Sequence, residues 1–252
     1  SDGVGDGEFW YAEGIACDSE GNVYVVDHGN HRVQKFDPTG VFLAKWGKNG
    51  GDGSSGTGPG EFYHPRGILV DQSDRVYVVD TENNRVQKFD LNGSYLGEWG
   101  SFGSGDGKFT APRGIAADGG GNVMVVEELN HRVQKFTPDG IFISSWGIEG
   151  SLAGQFSHPC GIAVGSNGEI SITDSNNHRI QCFRPVISFV NKMGASGTGP
   201  GEFILPTGVA YDAFGDLYIT DMGNHRIQKY AADGTWLCSW GTQGAEEGQF
   251  HW

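Results

Sequence analysis

The sequence predicts an all-β protein, a β-propeller of four-stranded antiparallel blades, and three observations carry that prediction. A segment of one design recurs five times, its clearest copy reading Asn30-His31-Arg32-Val33-Gln34-Lys35-Phe36, with further copies starting at Asn83, Asn130, Asn177 and Asn224. The glycine after a Pro-x pair returns every 47 residues, at Gly67, Gly114, Gly161 and Gly208, and Gly14 stands 53 residues before Gly67. Within each period the apolar residues fall in short β-branched and aromatic runs, not at helical spacing. A period of this length filled with strands marks a closed or stacked repeat architecture.

The first copy divides into four strand-length runs, 14–18, 22–27, 32–36 and 41–46, rich in Val, Ile, Tyr and Phe. Between them lie Asp18-Ser19-Glu20-Gly21, Asp27-His28-Gly29-Asn30 and Asp37-Pro38-Thr39-Gly40, whose Asp, Asn, Pro and Gly have the backbone preferences of tight turns. One repeat is therefore a four-stranded meander. Val23 and Val25 on one face and Tyr24 and Val26 on the other make the sheet apolar on both sides, so it needs two neighbours. Radial packing of similar sheets supplies them. The expected repeats run from about 7–53, 60–106, 107–153, 154–200 and 201–247 within a single domain covering 1–252. Similar connectors, Gly5-Asp6-Gly7-Glu8-Phe9-Trp10 and Glu247-Gly248-Gln249-Phe250-His251-Trp252, stand at both ends. That is consistent with five blades, the expectation taken here, or with a segment of a longer, six-bladed array.

A chain of 252 residues with 37% hydrophobic and 12% aromatic content can bury a substantial core. A formal charge of −14 argues against a protein that grips nucleic acid through a broad basic surface. Of 17 Lys and Arg, nine occupy the Arg-x-x-Lys positions of the repeated segment, which leaves few for a ligand. No stretch approaches the roughly 18 apolar residues of a membrane span, and nothing at the start resembles a signal peptide. The first residue is Ser, and location is not directly readable; the composition leans toward an extracellular or periplasmic setting. Cys17, Cys160, Cys182 and Cys238 occupy different repeat positions and form no C-x-x-C pair. Cys17 reads as a small core residue, Cys182 replaces a surface Lys, and free thiols are expected over a Cys182 to Cys238 bridge.

Gly-Glu-Phe-x-x-Pro-x-Gly-Ile, then Asn-Val-Tyr-Val-x-Asp-x-x-Asn-His-Arg-Val-Gln-Lys-Phe, then Trp-Gly, resembles the NHL repeat over essentially the whole chain. The resemblance implies a propeller, commonly of six blades in relatives, and offers three kinds of function: amidating lyase, RNA-binding domain of tripartite-motif type, or bacterial and archaeal sensor or scaffold.

The repeated polar residues read first as scaffold. An acid stands five residues before the motif Arg in every copy: Asp27 and Arg32, Asp80 and Arg85, Glu127 and Arg132, Asp174 and Arg179, Asp221 and Arg226. A partly buried ion pair satisfies both charges and pins the turn between them. His31, His131, His178 and His225 fall under the same reading, with Asn84 in the second copy. Four histidines held apart on separate blades make a poor zinc site.

Successive turns of a meander alternate between the two ends of its sheet. The connector into strand one and the turn between strands two and three therefore share a face, and that face carries more of the variation. Its innermost variable position, between Pro and Gly, holds Glu13, Arg66, Arg113, Cys160 and Thr207. Tyr11, His64, Ala111, His158 and Leu205 flank it, with His28 among the second-turn residues. Arg66 and Arg113 stand on adjacent blades, placed to hold one carboxylate or phosphate or to pair with Glu13 and nearby acids. In amidating lyases the resemblance puts zinc-binding histidines in that slot on three blades; here none is a histidine, and His64 and His158 precede the Pro instead. No catalytic residue, metal site or cofactor is assigned. The favoured reading is a non-enzymatic binding or scaffold propeller that recognises a protein, peptide or glycan through Glu13, Arg66, Arg113, Cys160, Thr207, His64 and His158. The alternatives are a metal-dependent lyase or hydrolase at the channel mouth, and an RNA-binding NHL domain, which the net charge disfavours.

Two segments break the rhythm. Lys48 to Pro59 carries a six-residue Gly/Ser/Asp insertion, expected to be a flexible connector. In blade four Ile187 replaces the turn glycine and Met193 the outer Trp, which offers an apolar rim for association.

Overall fold

The computed structural model describes residues 3–184 and 188–250 and contains twenty strands in five sheets. Blade one holds β1 (Ala12–Cys17), β2 (Val23–Asp27), β3 (Arg32–Phe36) and β4 (Phe42–Gly47). Blade two holds β5 (Ile68–Val70), β6 (Val76–Asp80), β7 (Arg85–Phe89) and β8 (Tyr95–Trp99). Blade three holds β9 (Pro112–Ala117), β10 (Val123–Glu127), β11 (Arg132–Phe136) and β12 (Phe142–Trp146). Blade four holds β13 (Pro159–Val164), β14 (Ile170–Asp174), β15 (Arg179–Arg184) and β16 (Ser188–Met193). Blade five holds β17 (Pro206–Tyr211), β18 (Leu217–Asp221), β19 (Arg226–Tyr230) and β20 (Trp236–Trp240). Each sheet keeps sequence order, so the fold class is a five-bladed β-propeller of meanders. Among the described residues there is no α-helix, only 3-10 turns such as Thr81–Asn83. By contacts the chain divides into two compact units: residues up to Ala117 with 121–123 and 136–143, and 118–120 with 124–135 and 144 onward.

The turn between strands two and three is set by a buried acid. In blade one Asp27 pairs in register with Arg32, which donates from Nε to Asp27 Oδ2 at 2.8 Å. The rest of the guanidinium runs to backbone carbonyls of the incoming connector, Val4 at 2.6 Å, Gly5 at 2.8 Å and Glu8 at 2.9 Å, and to Gly51 at 3.2 Å. Asp27 also accepts from the Trp10 backbone N–H and from Asn30 Nδ2, at 2.8 and 2.9 Å. Both members of the pair are fully buried, so every remaining donor and acceptor has to be satisfied this way. Arg85, Arg179 and Arg226 repeat the arrangement, each forked to three carbonyls of its own connector. Arg132 pairs with Glu127 in the same manner.

Blades pack by interlocking faces. In the first unit Tyr24, Val26, Val33 and Trp46 of blade one meet Ile68, Val76, Val78 and Phe89 of blade two. In the second, Ile180 and Cys182 of blade four meet Leu217, Ile219 and Tyr230 of blade five. The inner strands come so close that a Cβ on Gly67 would lie 2.2 Å from the Arg113 carbonyl oxygen, and one on Gly161 would lie 2.4 Å from that of Thr207. Only glycine permits this approach, which accounts for the 47-residue recurrence. On the outer rim the Trp46 indole lies on Gly93, where a Cβ would come within 2.7 Å of the ring.

Several sequence expectations need correction. β1 starts at Ala12, two residues early, and Asp18 leaves the strand to cap the next turn through the Asn22 N–H. Cys17 is exposed at the end of β1, beside the likewise exposed Ile15, and is not a core residue. Cys182 is buried at 1% exposure, because the Lys position it occupies faces the following blade. All four cysteines are free thiols, and burial pushes the Cys182 thiol up to about 11. The 48–59 insertion is tied down: Asp52 accepts from Ser54 and Asn49, and Gly51 helps to hold Arg32. In blade four, Met193 stands partly buried in the outer Trp position, while 185–187, including Ile187, lie outside the described residues.

Truncating one partner of the buried pair leaves the other uncompensated. Arg179→Ala is expected to lower the unfolding free energy by about 3–5 kcal/mol, and Arg179→Lys to recover only part of it, because an ammonium has fewer donors than the acid and its three carbonyls require. Urea unfolding followed by circular dichroism measures both; a loss below about 1 kcal/mol for the Ala variant would place the stability elsewhere.

Candidate functional site

The connectors and the second turns meet at one end of each sheet through backbone hydrogen bonds. The Gly29 N–H donates to the Trp10 carbonyl at 2.7 Å, Glu82 to Tyr63 at 3.2 Å, Asn176 to Ser157 at 3.1 Å and Gly223 to Ile204 at 2.8 Å. The residue before each proline position, Tyr11, His64, Ala111, His158 or Leu205, lies in the left-handed region at φ between 48° and 55°. So do His31, Asn84, His131, His178 and His225 of the repeated motif, a conformation that His and Asn tolerate better than most residues.

These two series latch one blade to the next. His31 Nδ1 accepts from the His64 backbone N–H at 3.0 Å, His131 from His158 at 3.2 Å and His178 from Leu205 at 3.3 Å. Asn84 Oδ1 does the same for Ala111 at 3.1 Å, which explains why Asn can replace His there. His225 Nδ1 is buried and has no partner among the described residues.

Of the five Pro-x-Gly residues, Glu13 is exposed and forms an ion pair with Arg66 of the next blade. Arg113 is half-buried in β9. Cys160 is 6% exposed, with Sγ 3.5 Å from the His158 carbonyl, and Thr207 shares a 3.0 Å hydrogen bond with Thr220. His158 Nδ1 lies 3.4 Å from Glu128. The structure therefore brings Glu13, Arg66 and His64 together on blades one and two, and sets Cys160 and Thr207 into their own strands.

Around that pair three imidazoles gather. The His64 ring lies 4.5 Å from His28 in a tilted contact and 4.4 Å from His31 edge to face, and Tyr63 lies 4.9 Å from His64. His28 Nδ1 is 3.2 Å from the Pro65 carbonyl and 3.9 Å from Glu13. Burial pushes the His28 imidazole down. Burial, with the His64 and His28 rings adding to it, takes His31 down to about 4. At the edge of this cluster Trp10, Tyr11 and Tyr63 are exposed by 54, 69 and 42%. Sequence reasoning passed over Trp10 and Tyr63, although their position, two residues before the proline, varies as much as the Pro-x-Gly slot: Trp10, Tyr63, Thr110, Ser157, Ile204. Among the described residues no group of three His, Cys, Asp or Glu is arranged to hold a metal ion.

A family model described as the NHL repeat matches residues 156–183 and 203–230, the motif strands of blades four and five with their connectors. The chain is an NHL-repeat β-propeller. A second model, described as a 6-bladed beta-propeller, matches 16–100 of this NHL chain. Human NHL repeat-containing protein 3 is 34% identical over 89 residues, 34% of this chain and 24% of that protein. Peptidylglycine alpha-amidating monooxygenase from Rattus norvegicus is 40% identical over 75 residues, 28% of this chain and 7% of that one. The aligned parts thus span a quarter or less of these relatives. Among solved structures, virginiamycin B lyase from Staphylococcus aureus superposes with a TM-score of 0.63 at 16% identity, covering 90% of this chain and 68% of that one. A chain of a nidogen/laminin complex gives 0.67 at 16%, covering 90 and 81%. These two likenesses concern fold alone.

The NHL latch has an acid limb. The His31 pKa is depressed below the ordinary 6.5, so its neutral ring stabilises the fold above pH 6.5, and that contribution is lost as the pH falls toward about 4. The groups facing it are the His64 and His28 imidazoles and the Asp27 carboxylate. His31→Asn keeps an acceptor, as Asn84 does, but cannot take a proton. Midpoints of unfolding measured between pH 7 and 4 are expected to fall less steeply for this variant than for the parent; equal slopes would show that His31 does not titrate in that range.

Proposed function

We propose that this NHL propeller is a non-enzymatic binding module that takes an extended peptide or protein segment on the connector face of blades one and two. The observation that carries the reading is the uncovered aromatic group Trp10, Tyr11 and Tyr63 beside the Glu13–Arg66 pair. Trp, Tyr and Arg are the side chains that most often dominate binding energy at protein interfaces, because they bury much area for few rotamers. Arg66 already has a carboxylate partner, so the pair offers a neighbouring donor and acceptor in place of a bare cation. That complements the alternating N–H and C=O of a peptide backbone better than it does a phosphate.

A peptide-display panel and a glycan panel, each presented to the full chain, test the reading. Peptides are expected to be enriched. The double variant Trp10→Ala and Tyr63→Ala is expected to weaken the best of them about tenfold or more, or about 1.4 kcal/mol, with an unchanged unfolding curve. Retention of glycans alone, or peptides that bind the double variant as tightly as the parent, would overturn it.

A further inference from the structure

At the opposite ends of the sheets from the connector face, the motif Lys carries out a repeated task. Lys35 Nζ lies 3.6 Å from Asp18 and 3.2 Å from the Leu91 carbonyl of the next blade, 5.0 Å above the Tyr24 ring. Lys88 reaches Asp139 of its following blade at 2.9 Å and the Pro138 carbonyl at 3.5 Å. Lys135 pairs with Asp118 at 2.6 Å. Lys229 pairs with Asp216 at 2.8 Å and stands 5.0 Å above Tyr218. Each of these blades therefore seats an ammonium beside a carboxylate, Lys229 beside both Asp212 and Asp216, and three of the four add a carbonyl of the next blade or an aromatic ring.

Blade four lacks the ammonium and keeps the seat. At its position stands Cys182; Gly165 replaces the Asp of the other four blades, and Ser171 stands where three of them have Tyr and blade three has Met124. The following blade partly fills the gap with Tyr211, whose hydroxyl lies 2.7 Å from Ser171 Oγ and 3.5 Å from Glu169. On the other side of Tyr211 from Cys182 and Ser171 lies a cavity of about 150 Å³ whose lining includes Glu169, Asn191, Met193, Tyr211, Leu217 and Asp233. In the repeat register Glu169 corresponds to Asp216, the carboxylate that pairs with Lys229, and Asp233 corresponds to Asp139, the one that pairs with Lys88. Among the described residues neither Glu169 nor Asp233 is met by a lysine or arginine. Met193, in place of the outer indole, leaves further room and faces Gly234 as Trp46 faces Gly93.

We infer that this cavity between blades four and five is a binding site for a primary alkylammonium group, which takes the place of the missing lysine side chain. The ammonium sits between the Glu169 and Asp233 carboxylates, and its aliphatic stem lies along Met193, Leu217 and the Tyr211 ring. At about 30 Å³ per water the cavity has room for roughly five heavy atoms, the size of a four-carbon amine. Pairing with two carboxylates at a partly screened site, with apolar stem contacts, gives the site both charge and length selectivity. The site lies within one compact unit and does not depend on the connector face.

The probe is n-butylammonium chloride, titrated calorimetrically into the full chain at constant ionic strength beside n-butanol, with Nα-acetyl-lysinamide as a second arm. The parent is expected to bind butylammonium at least about tenfold more tightly than butanol. Cys182→Lys is expected to abolish that binding and, without ligand, to raise the melting temperature, since the chain then supplies its own ammonium. Asp233→Asn, at an exposed turn where folding is not at stake, is expected to weaken binding about threefold or more and keeps the test open if Cys182→Lys does not fold. Tighter binding of Nα-acetyl-lysinamide assigns the site to a lysine presented by a polypeptide, and tighter binding of butylammonium to a free amine. Equal affinity for butanol and butylammonium, or butylammonium binding unchanged in Asp233→Asn, overturns the inference.

Discussion

The carboxylate at the end of the second strand organises each blade. In blade one Asp27 accepts from the Arg32 guanidinium, the Asn30 and Gln34 amides and the Trp10 backbone N–H. The conspicuous polar residues of the repeated segment are thus donors converging on one buried acid, and its apolar residues alternate with them to face the neighbouring sheets. A buried charge is tolerable only when all its hydrogen-bonding capacity is used. That requirement reaches beyond the strands, because the guanidinium must spend its remaining donors on the connector carbonyls. The connector is thereby folded by the same charge that closes the turn.

Once the connector is fixed, the contacts between blades follow. The left-handed residue before the proline position offers its N–H to the His or Asn of the preceding motif, and the glycine three residues after it lets the inner strands approach. These are backbone demands, so they tolerate little change. Variation is left to the side chains that the frame holds outward, such as Trp10, Tyr63, Glu13 and Arg66, and to blade four, where Gly165, Ser171 and Cys182 differ from the other repeats and Tyr211 of the next blade reaches Ser171.

The strands, the turn chemistry and the acid-to-Arg pairing were legible in the sequence because they are local: five residues separate Asp27 from Arg32, and alternation reports which residues share a face. The role of Cys182 was not legible in the same way. Whether its position is surface or interior depends on which sheet face meets the following blade, and that contact joins residues some 50 apart, as in the bond from Lys35 to Leu91. The imidazole cluster has the same origin, since His28 and His64 come from different blades. Glu13 and Arg66 were recognised as variable neighbours, and the structure adds that each is the other's partner.

Equivalent apolar positions of different repeats are buried to very different degrees. Ile15 on blade one is 68% exposed and Trp240 on blade five 42%, whereas their counterparts Ile68 and Trp46 within the array are each 7% exposed. Buried apolar surface contributes roughly 25 cal/mol per Å², so truncating Ile68 or Trp46 forfeits more of it than truncating Ile15 or Trp240. An identical substitution is therefore felt differently according to the repeat in which it stands.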